Sequence, residues 1–105
     1  MIYENRYNAE RALLGSLLLN GKTISKISQR IKTEHFRIPM HKKIYDVLCV
    51  FDQYGWPTDV VSVADQMSGN DNTISQKVLL NMLGRMVIEC PSAKNVWNYA
   101  KLVDP

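Results

Sequence analysis

One stretch limits what this chain can fold into more than any other. From Phe36 to Asp59 the residues describe a helix with both ends marked. Pro39 suits the first helical turn, where a missing N–H is no loss. Gly55 suits the left-handed residue that closes a helix, and Pro57 prevents continuation. Asp59 can accept a hydrogen bond from the first turn of a following helix. Between the marks, Ile44, Leu48 and Phe51 share one face, with Tyr45 at its border. A helix bounded so tightly, with another starting at once, calls for helices joined by short connections.

The remaining segments agree. A first helix starting near Asn5 or Asn8 and ending at Asn20-Gly21 carries Leu13, Leu14, Leu17 and Leu18 as one wide apolar stripe. Gly15 lies inside it. An interior glycine costs roughly 1 kcal/mol against alanine, so close approach of another helix is expected there. Thr23 can cap a second helix with Ile24, Ile27 and Ile31 on one face and Lys22, Lys26 and Arg30 on the other. Thr33 to Phe36 reads as a short turn that inserts Phe36 into the core. A fourth helix is predicted from about Val60 to Met67. Val60 to Val63 is β-branched enough for a strand, but the Asp59 cap and the Ala64 and Met67 spacing favour helix. Ser68 to Asn72 is dense in turn formers. A fifth helix follows from about Ser75 to Ile88 until Cys90-Pro91 breaks it, and Ser92 caps a sixth bearing Val96, Tyr99, Ala100 and Val103. The expected fold is all-α, a small bundle of about six short helices in one domain over residues 1–105.

Charge and composition exclude more than they select. Thirteen basic against ten acidic side chains leave +3, too little by itself to imply nucleic acid. The cations are unevenly placed, with seven between Lys22 and Lys43 against Glu34 alone. Lys22, Lys26 and Arg30, at i, i+4 and i+8, are candidate phosphate contacts, though no aromatic residue interleaves them for base stacking; a solvated helix face is the commoner use of such a stripe. Cys49 and Cys90 are far apart without CxxC spacing, which suits reduced thiols in a cytoplasmic protein. No secretory signal is visible, and the apolar run Ala12 to Leu19 falls short of the roughly 20 residues of a membrane span.

No pattern of catalysis emerges. His35 and His41 have no cysteine or clustered acidic partner, whereas a zinc site needs three or four converging ligands. The carboxylates are scattered, and neither cysteine has a histidine at a telling position. Gly21-Lys22-Thr23 matches the end of a phosphate-binding loop, but it follows an amphipathic helix and Ser16 stands where the loop's first glycine belongs. The expectation is therefore no catalytic, cofactor or metal site. The fifth helix is unusual: Leu79, Leu80, Met82, Leu83, Met86, Val87 and Ile88 cover more than one face, so it is either nearly encircled or presents apolar surface to a partner. Methionine-rich faces suit adaptable recognition. Met82, Met86, Tyr99 and Val103 are the candidate interface residues.

Four pieces, in order, carry a resemblance. They are Ala9-Glu10 with Leu14-Gly15-Ser16-Leu17-Leu18; Phe36, Pro39, His41 and Ile44-Tyr45; Gly55-Trp56-Pro57-Thr58-Asp59; and Pro91-Ser92-Ala93-Lys94-Asn95 with Tyr99-Ala100 and Val103. Together they resemble the amino-terminal domain of the bacterial replicative DNA helicase, the DnaB family. The resemblance implies a non-catalytic domain that self-associates in the collar of a hexamer and docks primase, and in some systems an initiator or loader. It implies a parent helicase that binds ATP and magnesium in a RecA-like domain this chain lacks, and that meets DNA through that parent. Val78-Leu79 departs from a glycine pair usual in the family, and Met82 from a commonly aromatic position. The family's last helix usually runs on into a charged hairpin; with Asp104-Pro105 here, a monomer or weak dimer is expected. Two other readings remain: a standalone loader or inhibitor resembling the collar, and a nucleic-acid-binding module using the Lys22, Lys26 and Arg30 face.

Overall fold

The computed structural model describes residues 2–105, with side chains from Asn5 onward. Six α-helices form, and no strand occurs among the described residues: α1 (Ile2–Leu19), α2 (Ile24–Ile27), α3 (Pro39–Tyr54), α4 (Val60–Asn70), α5 (Gln76–Glu89) and α6 (Val96–Val103). Short 3₁₀ turns at Gly21–Thr23, Thr33–His35 and Ala93–Asn95 lead into α2, α3 and α6. Among the described residues no helix is long and apolar enough to cross a membrane.

The α3 boundaries fall where the sequence marks them. Pro39 opens the helix, and Gly55 closes it in the left-handed region at φ 71°. Asp59 caps α4, its carboxylate accepting the Ser62 N–H at 2.9 Å. Ser75 and Ser92 cap the next two elements in the same way, through Val78 N–H and Lys94 N–H. Two boundaries differ from expectation. α1 begins at Ile2, before the Asn5 or Asn8 start. α4 continues to Asn70 through the turn-forming Ser68-Gly69, where the Ser68 hydroxyl donates to the Asp65 carbonyl at 3.0 Å and the Gln66 amide to Asn70 Oδ1 at 3.1 Å along the helix.

α1 is the central element, packed against α3, α5 and α6. Its stripe is fully buried at Leu13, Leu14 and Leu17. Each such side chain contributes about 1.5–3 kcal/mol by leaving water. At Gly15 the helix meets α5 so closely that a Cβ would collide with the Met86 carbonyl oxygen. Phe36 inserts into the core beside Tyr45, with ring centroids 4.8 Å apart. Tyr45, expected at a border, is fully buried because its hydroxyl donates to the Ile31 carbonyl at 2.7 Å.

A buried polar cluster locks the start of α3 to α1. Glu10 is fully buried. Its carboxylate accepts hydrogen bonds from the Arg37 and Ile38 N–H groups at 2.8 and 3.4 Å and lies 2.8 Å from His41 Nδ1. These backbone donors precede Pro39 and lie at the helix entrance, where an anion is favoured. Burial alone would raise the Glu10 pKa, but the His41 and backbone hydrogen bonds outweigh it and hold the carboxyl below the ordinary glutamate value. Sequence reading placed Glu10 in a motif without assigning it this role. The signal was present: Glu10 precedes Leu13, Leu14 and Leu17 by three, four and seven positions, so it shares their inward face.

Candidate docking surface

The α5 and α6 faces form from two capped helices separated by the Cys90-Pro91 break. On α5, Leu79, Leu83 and Met86 point inward, while Val78 and Ile88 stay in water, Ile88 at 82% exposure. Leu80, Met82 and Val87 are half-buried against the core. On α6, Val96, Ala100 and Val103 face inward, and Trp97 and Leu102 face out. The all-round apolar character of α5 therefore divides between core and surface.

A groove of about 1030 Å³ runs where α1, the end of α5 and α6 meet. Ala9, Ala12, Met86, Pro91 and Leu102 supply apolar lining, and Arg6, Arg11 and Arg37 add cations. Arg11 pairs with Glu89, which Arg85 also contacts at 3.2 Å. Arg6 donates to the His35 carbonyl at 2.6 Å and lies 3.5 Å from Glu10, so it serves as a tie between elements. The Tyr99 hydroxyl is buried beside the groove without a hydrogen-bond partner among the described residues. Cys90 Sγ, 3.3 Å from Ser16 Oγ, is a free thiol at its edge.

Of the four expected interface residues, Met82 and Tyr99 are half-buried at the surface. Met86 and Val103 are core residues, each only 1% exposed, and of the two only Met86 reaches the floor of the groove. Their helical spacing was read properly, but spacing does not say which of two apolar faces turns inward. For the same reason the spacing did not single out Val78, Trp97 and Leu102, which the structure leaves exposed. The expected basic stripe also changes. α2 is a single turn ending at Ile27, so Lys22 lies in a 3₁₀ turn before it and Arg30 in the turn after it. Arg30 donates to the Asp104 carbonyl at 2.7 Å, which ties it to the end of α6. Lys22 and Lys26 remain exposed but share no extended helix face.

Residues 3–105 match the model of the DnaB-like helicase N terminal domain. The chain belongs to that family. Its architecture is similar to the crystal structure of the N-terminal domain of DnaB helicase from Mycobacterium tuberculosis, with a TM-score of 0.80 and 26% identity, covering 92% of this chain and 67% of that one. The chain is 30% identical over 97 residues to replicative DNA helicase DnaB of Leifsonia xyli subsp. xyli, covering 90% of this chain and 21% of the relative. It is 34% identical over 95 residues to the Nostoc sp. helicase of the same name, covering 90% and 11%. Replicative DNA helicase DnaC of Bacillus subtilis matches at 28% identity over 96 residues, covering 91% and 21%. The chain thus spans about a fifth or less of the length of these curated relatives. Family membership explains why the recognisable residues are helix ends and core positions: they specify the bundle.

Proposed function

We propose that this chain is the non-catalytic assembly and docking domain of a replicative DNA helicase. The observation that carries the reading is the family match across residues 3–105. In this reading the domain self-associates within the collar of a hexamer and receives primase, and in some systems an initiator or loader. ATP and magnesium belong to the ATPase part of the parent helicase, which meets DNA in the cytoplasm. The exposed apolar residues Val78 and Ile88 on α5 and Trp97 and Leu102 on α6, with half-buried Met82, suit such docking. Surface apolar groups of this kind gain free energy when a partner removes them from water.

The test is a calorimetric titration with the carboxy-terminal domain of the cognate primase. Saturable binding that weakens on Met82→Glu or Ile88→Glu supports the reading. A folded domain that shows no binding removes the primase part. Collar formation is tested separately, by the mass of the full-length helicase in native mass spectrometry with and without the same substitutions.

A further inference from the structure

The groove between α1, the end of α5 and α6 has a charged cleft on either side. On the α5 side a cleft shares Asn8, Arg11 and Glu89 with the groove and adds Arg85. On the other side, a cleft made with the start of α3 and the end of α6 shares Arg6, Arg37 and Pro105 and adds Lys42. The carboxylates lining groove and clefts are Glu34, Glu89 and Asp104. Two of them are already engaged. Arg11 and Arg85 both contact Glu89 and hold its carboxyl below the ordinary glutamate value. Arg30 donates to the Asp104 carbonyl at 2.7 Å, and its Nε lies 3.9 Å from the Asp104 carboxylate.

The cations are not all spent in the same way. Arg6 donates to the His35 carbonyl at 2.6 Å and to the Leu102 carbonyl at 3.4 Å, so it is a fixed part of the wall. Arg37 and Lys42 differ. Among the described residues neither side chain makes a hydrogen bond or an ion pair, and Arg37 is an exposed residue lining both the groove and its cleft. Between the two clefts the lining is apolar. Ala9 and Met86 form a buried floor, and Pro91 and Leu102 stand in water above it, Leu102 at 59% exposure. An apolar floor with uncompensated cations at its rim complements a segment that is itself apolar and acidic.

We infer that this groove takes an acidic amphipathic segment of a partner protein, with its apolar side chains on Leu102, Pro91 and Met86 and a carboxylate on Arg37 and Lys42. The inference rests on the docking reading and deepens it by naming what the partner presents. Apolar side chains gain by leaving water together with Leu102. A carboxylate can accept both prongs of the Arg37 guanidinium, a geometry suited to planar anions. A nucleic-acid backbone would use the same cations but leave Leu102 and Pro91 uncovered, so it matches the groove less well.

The probe is an end-blocked peptide of two leucines flanked on each side by two glutamates, titrated into the isotope-labelled chain at low and high salt. The methyl resonances of Leu102, Met86 and Ala12 should shift saturably while the Trp56 indole stays in place, and binding should weaken as salt rises. Arg37→Gln with Lys42→Gln removes two charges and no contact within the fold, and should weaken binding about fivefold. Leu102→Ser should weaken it by a similar factor. The same peptide with lysines for glutamates, or with serines for leucines, should bind less tightly. The inference is overturned if the charge variant and Leu102→Ser both bind as the unaltered chain does, or if the lysine peptide binds equally well. It is also overturned if a single-stranded oligothymidylate shifts the same methyls as strongly, which would make the groove a track for polyanions. If primase binds and the peptide does not, this inference falls and the docking reading stands; if neither binds, both fall.

Discussion

Replacing Gly15 and Gly84 by alanine, one at a time, should move stability in opposite directions. Both glycines lie inside helices, so both substitutions gain roughly 1 kcal/mol of helix propensity. At Gly84 a new Cβ meets nothing within contact range, and the gain should appear nearly whole. At Gly15 the Cβ would strike the Met86 carbonyl oxygen and come within 3.1 Å of the Cys90 Cβ. A backbone carbonyl cannot rotate away, so α1 and α5 must separate along buried surface. Overpacking of this kind costs about 1–3 kcal/mol. The propensity term is common to both variants, so the difference between them isolates the steric term, about 1–3 kcal/mol in favour of Gly84→Ala. For a domain near this size each kcal/mol corresponds to about 4–8 °C in Tm. Urea denaturation followed by circular dichroism, with calorimetric melts as a check, measures both variants against the unaltered chain. If Gly15→Ala matches Gly84→Ala in stability, α1 and α5 do not approach as closely as described, and the packing reason for the interior glycine is wrong.

Two further outcomes test the buried polar groups. Glu10 has a folded-state pKa below its unfolded value of 4.5, so its contribution is present above that pH and is lost as pH falls through the depressed folded value; melts across the acid range should show this loss, and Glu10→Gln should cost about 1.5–3 kcal/mol at neutral pH while flattening the acid limb. Tyr45→Phe removes the bond to the Ile31 carbonyl and leaves that acceptor without its tyrosine partner, so chemical denaturation should show a loss of about 1–3 kcal/mol; an unchanged midpoint would mean the carbonyl finds another donor.

Sequence alone determined the elements whose causes are local. Pro39, Gly55, Asp59, Ser75 and Ser92 mark helix ends because backbone N–H and carbonyl groups at those ends need particular partners or a particular φ, and these needs are met within a few residues. The leucine stripe of α1 and the reason for Gly15 were legible too, since helical periodicity decides which residues share a face. Tertiary structure decided what depends on distant neighbours. It truncated α2 to one turn and spent Arg30 on Asp104, dissolving the basic stripe. It turned Met86 and Val103 inward and left Val78, Ile88, Trp97 and Leu102 in water, because an apolar helix in a small bundle buries only the face its neighbours reach. It also brought Glu10 to Arg37, Ile38 and His41 across some thirty residues of chain. Hydrogen bonds between groups so far apart in sequence exist only once the fold has brought their helices together.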